Sequence, residues 1–542
     1  MNIIIGSPYP VKNETIFLYP NLRWNDFSYE TTFYLYICKE GFEGKVGEVK
    51  IGYQGQPKNA HTLKKLDKQI DKLPQGFFSL GQKPEFYISL RDILGDRKES
   101  LLEALNDVVY DENIFQVAQA QDVFKDSLSR YVSISSIMQF KDILETGVAL
   151  RKYGFRLNFT DEQRPEFVVS PDSKPPTNVQ VLIGRNGVGK SFLLRKIVSD
   201  IDDHYGLITK VNGQPVSAYD FGLLLYFSLS VFDKPFKGDI FNEVKFSTER
   251  TRKKYIGIYN QRTHQLKNLE KDLGLEFAKS LSSCLFGSEV KLKMWEEVVS
   301  YLEADIVFRE LNLKGLSQNI SSLDDEEQED QEDQEDQEDQ EEQEDQEDQE
   351  DQEDQEERIV IDEDSQIRKE KEKVFLKKSA KFFNSLSSGH AAVLYYLIHV
   401  VELIEAKTIC IFDEPENHLH PPLLSSFIRA LSHILSVSNG MAIIATHSPV
   451  ILQEVPRTCI WKVHRLDNNA HDFQRPSIET FGESVGEITS EIFSLDLRKS
   501  GFYSLLEKDS KEIGDASEVI ELYNGQVGLE GRAIIFSSSK KA

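Results

Sequence analysis

Val179-Gln-Val-Leu-Ile-Gly184-Arg-Asn-Gly-Val-Gly-Lys190-Ser191 is the stretch from which the fold can be read. A short apolar run, as expected of a buried strand, leads into Gly-x-x-x-x-Gly-Lys-Ser. Beyond it Leu193, Leu194, Ile197, Val198 and Ile201 recur on one side of a helix. Strand, glycine-rich turn and helix in that order are the context a phosphate-binding loop needs. Glycines let backbone N–H groups wrap phosphate oxygens, and the helix N-terminus adds partial positive charge. Gly184, Arg185, Asn186, Gly187, Val188, Gly189, Lys190 and Ser191 are therefore the expected ATP-binding residues. Lys190 reaches the β- and γ-phosphates, and Ser191 offers a hydroxyl to Mg²⁺.

Two further strands carry chemistry. Thr408-Ile-Cys-Ile-Phe-Asp413-Glu414-Pro415 is an apolar run ending in two acids, as a central strand of a parallel sheet reads. Asp413 is the expected Mg²⁺ partner of Ser191, and Glu414 the group that activates the attacking water. Met441-Ala-Ile-Ile-Ala-Thr446-His447-Ser-Pro449 is a strand that ends in a histidine. Glu416-Asn-His418-Leu-His420-Pro421 contains His-x-His, but no third ligand lies near it in sequence, and Pro421 reads as the first residue of a helix.

Between these elements Leu386-Ser-Ser-Gly-His390, 23 residues before Asp413, resembles the Leu-Ser-Gly-Gly-Gln signature of ABC-type ATPases. Ser388 stands for the first glycine and His390 for the glutamine. That resemblance implies that Ser387 and the Gly389 amide meet the γ-phosphate on an opposite subunit. It also implies that His447 contacts the γ-phosphate and senses its loss. Asp413 to Pro421 and Ala445 to Pro449 look like the branch holding overcoming-lysogenization-defect nucleases, recombination-mediator ATPases and PtuA subunits of Septu anti-phage systems. Trp24 to Phe33, Leu223 to Asp233 and Leu522 to Arg532 are similar to PtuA proteins, including those encoded with retrons. The resemblance implies an α/β ABC-type ATPase head that pairs around two ATP molecules. Its implied partners are an HNH nuclease, PtuB, and a retron reverse transcriptase with its DNA or RNA. No glutamine occupies the usual Q-loop place, where Ser230 to Asp233 stand instead.

The rest of the chain sets the frame. Of 542 residues 63 are basic and 90 acidic, giving −27, but Asp324 to Glu357 alone hold 24 acids and 10 glutamines. Outside that tract 66 acids face 63 bases, so the body is near neutral and the charge says nothing of its partners. The repeat has no apolar residue to bury and is expected to be disordered. No run approaches the ~18 apolar residues of a membrane span, and the N-terminus lacks a signal-peptide pattern. The four cysteines are scattered without Cys-x-x-Cys. A cytoplasmic protein without disulfides is expected.

The expected organisation is an ATPase head in two parts, 1–236 and 382–500. A helical insertion, 237–381, carries the repeat 324–357, and a helical tail spans 501–542. Helices are expected over Ser100 to Val109, through Leu266, Leu269, Leu273 and Phe277, and around Trp295 to Leu302. Arg368 to Lys381 forms a basic stretch. Alternatives to a hydrolysing defence ATPase are a nucleotide-locked scaffold with little turnover and a DNA-repair type ATPase. A nuclease in its own right would need a metal-binding carboxylate domain, and no Asp-x-Asp follows His447.

Overall fold

The computed structural model describes residues 3–6, 15–21, 29–39, 42–132, 134–146, 150–158, 164–201, 208–214, 216, 220–231, 236, 240–241, 251–261, 263–269, 271–287, 289–311, 313–314, 363–417, 419–465, 471–497 and 501–539. The acidic repeat, His418, Trp24 to Ser28 and Phe232 to Asp233 lie outside them. The chain divides into two units, Met1–Leu266 with Leu403–Ala542, and Lys267–Glu402.

The larger unit starts with a six-stranded sheet, β1 (Ile3–Ile5), β2 (Thr15–Pro20), β3 (Thr32–Lys39), β4 (Phe42–Tyr53), β5 (Gln69–Ile70) and β6 (Phe77–Gly81), in the order β5-β1-β2-β3-β4-β6. Helices Pro84–Leu94, Lys98–Ala104, Glu112–Ala118 and Ile134–Thr146 follow it, and their apolar residues join a core around Phe33, Phe78, Phe86, Tyr87 and Phe140. Inside this core lies Asp107. Tyr87 donates its hydroxyl hydrogen to Asp107 Oδ2 at 3.1 Å, and the amides of Val109 and Tyr110 donate to Oδ1 at 2.9 and 3.3 Å. Burial pushes the Asp107 carboxyl up to about 7 despite those donors.

β7 (Tyr153–Leu157), β8 (Glu166–Val169) and β10 (Ile208–Lys210) form a small antiparallel sheet. The third sheet positions the site. It contains β9 (Val179–Ile183), β11 (Leu223–Ser228), β12 (Arg252–Gly257), β13 (Ile409–Asp413), β14 (Met441–Thr446), β15 (Ile460–Arg465) and β16 (His471–Gln474), in the order β12-β11-β13-β14-β9-β15-β16. All neighbours are parallel except β15 and β16. Every residue of β9, β11, β13 and β14 is buried, which is why these strands read as unbroken apolar runs. The fold is α/β, with a mainly parallel sheet as its centre.

Registers align the carboxyl ends. Asp413 pairs with Ala445, and Thr446 with Ile183. β14 thus lies between β9 and β13, and the segments leaving all three strands emerge at one edge. Ligands of open parallel sheets bind at such an edge.

The Lys267–Glu402 unit is built from helices Lys271–Phe286, Glu289–Leu302, Ile306–Glu310, Glu363–Asn384 and Ser388–Leu403. Phe277 stacks on Phe383 at 4.8 Å, and Tyr395 donates to Glu276 at 2.5 Å. Gly274 permits the close approach of the first and fourth of these helices, since a Cβ there would lie 2.9 Å from Asn384 Oδ1. The C-terminal helices Gly501–Ile513, Ala516–Leu522 and Leu529–Ser538 close on Leu506, Val519 and Ile535.

Three local expectations change. The helix expected from Leu266 begins at Lys271, because Leu266 and Leu269 face solvent. The one expected over Ser100 to Val109 ends at Ala104, although Leu105 and Val108 are still buried beyond it. A strand, β12, lies where no strand signal is legible: it is the sheet edge and carries Arg252, Lys253 and Lys254, with only Ile256 and Gly257 buried. Among the described residues no helix is long and apolar enough to cross a membrane, and all four cysteines are free.

Candidate active site

The loop from Gly184 to Gly189 joins β9 to the helix Lys190–Asp200. Two glycines are required by space as well as by motif. A Cβ on Gly184 would lie 2.5 Å from the Val463 carbonyl oxygen, and one on Gly189 would lie 2.6 Å from His471 Nε2. Gly189 also has φ +100°, in the left-handed region that favours glycine. Lys190 is 4% exposed, and its ammonium donates to the carbonyls of Gly184 at 3.0 Å and Arg185 at 3.2 Å. A cation is thereby held under the loop.

Ser191 donates its hydroxyl hydrogen to Asp413 Oδ1 at 3.1 Å, although 222 residues separate them in sequence. Tyr226, on the adjacent β11, stands 3.5 Å from Asp413 Oδ2. The Asp413 residue is only 6% exposed. A buried carboxylate beside a hydroxyl is a hard-oxygen donor set that suits Mg²⁺. The residues fit the ion that the loop motif calls for.

Glu414 follows directly. Its φ of +48° is uncommon for a residue with a side chain, and its amide donates to Ala445 O at 2.9 Å. Leaving the strand in this conformation presents the Glu414 carboxylate 3.8 Å from Lys190 Nζ and 3.7 Å from His447 Nδ1. Lys190, Glu414 and His447 therefore form one electrostatic chain across the ends of β9, β13 and β14.

Glu416 completes it. Its Oε1 accepts from the Thr446 hydroxyl at 2.5 Å and the His447 amide at 2.9 Å, and lies 3.3 Å from His447 Nδ1. The Glu416 side chain is 8% exposed, and its second oxygen has no hydrogen-bond partner among the described residues. The sequence reading misses this residue, for which the third acid of Asp-Glu-Pro-Glu is the available signal. His471, on β16, was missed too. Burial and then the Arg465 charge lower its basicity, and its ring lies parallel to that of Phe192 with centroids 6.3 Å apart.

The signature segment belongs to the Lys267–Glu402 unit. Ser387 precedes the helix Ser388–Leu403, whose first turn holds Gly389 and His390, both buried. His420 caps the helix Pro421–Ser438, accepting from the Leu423 amide at 3.3 Å. That gives this half of His-x-His a structural task.

Residues 179–453 match the family described as "AAA domain, putative AbiEii toxin, Type IV TA system". The chain is 34% identical over 526 residues to Protein ea59 of Escherichia phage lambda, covering 94% of this chain and 92% of that protein. Among solved structures it is similar to a nucleotide-free ATP-binding cassette from an ABC transporter, at 12% identity, 63% of this chain, 95% of that chain and a TM-score of 0.26. An ATP-binding cassette of an ABC transporter in its ADP conformation gives 12%, 62%, 94% and 0.26.

Proposed function

We propose, for a chain that belongs to this family of AAA-domain P-loop ATPases, that it binds Mg–ATP at the carboxyl edge of the β9–β14–β13 sheet and hydrolyses it. The single observation that carries the reading is the Ser191–Asp413 contact at 3.1 Å, with Glu414 beside it. In this reading the Lys190 ammonium leaves its loop carbonyls for the β- and γ-phosphate oxygens. Ser191 and Asp413 hold Mg²⁺, which when bound neutralises charge on the phosphates. Glu414 accepts the proton of the attacking water. Glu416 holds Nδ1 of His447, which leaves Nε2 as the ring nitrogen available to the γ-phosphate.

The same reading has two copies of the chain closing around two nucleotides, with Ser387 and the Gly389 amide of one copy meeting the γ-phosphate held by the other. The stretches Trp24 to Phe33, Leu223 to Asp233 and Leu522 to Arg532, which are similar to PtuA proteins, support a finer role. The chain is then the PtuA-type subunit of a Septu anti-phage system, governing an HNH nuclease, PtuB, in company with a retron reverse transcriptase and its DNA. A second reading, a nucleotide-locked scaffold with slow turnover, is favoured by Ser230 to Asp233 standing where a glutamine is usual.

Ser387→Arg tests the composite site. The variant should bind Mg–ATP as the parent does and lose ATP-dependent pairing by light scattering. Unchanged pairing would remove the composite site. The finer role is tested by reconstituting the chain with an HNH nuclease of the PtuB type. DNA cleavage that responds equally to the parent and to Lys190→Ala would contradict ATP control of that nuclease.

A further inference from the structure

The strand order gives a bound nucleotide a direction. Glu414 and His447, which face the γ-phosphate in the reading above, leave β13 and β14, while the glycine-rich loop leaves β9. In the order β13-β14-β9-β15-β16, the hairpin of β15 and β16 lies on the far side of that loop. A nucleotide whose γ end faces β13 and β14 therefore points its base towards the hairpin. Arg465 ends β15 and pairs with His471, which begins β16. β15 runs parallel to β9, so both residues stand at the edge from which the loop emerges.

Two aromatic rings meet there. His471 is held over the loop by a hydrogen bond between its ring and the Val188 backbone, and its Nε2 lies 2.6 Å from where a Cβ on Gly189 would stand. The Phe192 ring is parallel to the imidazole within 4°, with centroids 6.3 Å apart. Phe192 follows Ser191 in the first turn of the helix Lys190–Asp200. The next amide, of Leu193, bonds back to the Gly189 carbonyl at 2.9 Å. The amides ahead of it, up to Phe192, are those that a first turn leaves for an anion. The Phe192 side chain thus starts beside the phosphates. It stands apart from the buried Leu193, Leu194, Ile197 and Val198, and at 58% it is more exposed than any other described Phe, Tyr or Trp. Such a ring gains both buried area and stacking from a flat partner.

We propose that Phe192 and His471 form the platform on which the nucleobase stacks, so that the site takes purine nucleoside triphosphates, ATP and GTP alike, by the face of the base. Stacking tolerates base identity because every base has a π-face, and its modest preferences follow stacking strength, which is greater for the two-ring purines. A base lying flat on Phe192 runs parallel to the His471 imidazole as well. The inference rests on the reading above that Lys190 holds the phosphates and that Ser191 and Asp413 hold Mg²⁺.

The test uses the full-length chain and calorimetric affinities for Mg–ATP, Mg–GTP, Mg–UTP and Mg–tripolyphosphate, which carries no base. Phe192→Ala should weaken Mg–ATP by about fivefold or more, the worth of one base stacked on an aromatic ring, and leave Mg–tripolyphosphate unchanged. His471→Ala should act in the same direction. In both variants the preference for ATP over UTP should collapse. Phe192→Tyr keeps the plane and should bind ATP as the parent does, whereas Phe192→Leu keeps apolar volume without the plane and should not. Equal weakening of ATP and tripolyphosphate, or ATP affinity that survives either alanine substitution, would overturn the platform while leaving the phosphate site standing. A preference for one purine of more than about tenfold, the mark of hydrogen-bond readout, would overturn it too. Tripolyphosphate binding that is indifferent to Lys190→Ala would instead remove the reading on which the platform rests.

Discussion

Glu414 shows how a single residue joins backbone geometry to chemistry. A left-handed backbone at the end of a buried strand costs on the order of 1–3 kcal/mol and persists only where the surroundings impose it. Here the Ala445 carbonyl fixes the Glu414 amide, and the carboxylate stands between Lys190 and His447. Glu416 acts one step back, as a positioning residue for His447. Glu416→Gln keeps an oxygen for the Thr446 hydroxyl and the His447 amide but removes the charge facing Nδ1. We expect ATP affinity to stay within about twofold while turnover falls roughly tenfold, about 1.4 kcal/mol of barrier. Steady-state kinetics check this, and a raised KM with unchanged kcat would contradict it. Asp107 makes a separate prediction about stability. Its folded pKa, about 7, lies above the ~3.9 of a free aspartate. A carboxyl raised on folding favours the native state at low pH. That contribution is lost as pH rises from about 4 to about 7, where the native carboxyl at last ionises. Between pH 5 and 8 the parent should therefore lose thermal stability relative to Asp107→Asn. A difference between the two melting curves that does not change with pH would contradict the assignment.

At the scale of elements, what was legible followed from how locally each signal is written. β9 with its loop, β13 and β14 are contiguous apolar runs ending in polar residues, so Gly184 to Ser191, Asp413, Glu414 and His447 could be named from the sequence. The placement of β14 between β9 and β13 could not, because strand order depends on pairings across more than 200 residues. That placement is what puts His447 within reach of Glu414. Tyr226 and His471 escaped for the same reason: nothing near them in sequence marks them as neighbours of Asp413 or Gly189. β12 escaped because an edge strand needs little burial, and its basic residues read as surface. Helix starts failed where apolar periodicity ran ahead of the helix, as at Leu266 and Leu269.

For the molecule as a whole, the ATP chemistry is assigned to residues remote in sequence from the acidic repeat. Asp324 to Glu357, with 24 carboxylates, repels nucleic-acid phosphates and attracts basic surfaces. Its deletion should leave ATP affinity unchanged and strengthen nucleic-acid binding most at low ionic strength, where the Debye length reaches about 30 Å at 0.01 M. Equal nucleic-acid affinity with and without the tract at low salt would reduce it to a spacer. ATP hydrolysis at the Lys190–Glu414–His447 site is tested by phosphate release from the purified chain and from Glu414→Gln, with bound ATP measured on the same samples. The parent should release phosphate, and Glu414→Gln should bind ATP at least as well while release falls by a factor of about 10²–10⁴, the usual worth of a general base. Release by Glu414→Gln at the parent's rate, or failure of the parent to bind ATP, would contradict it.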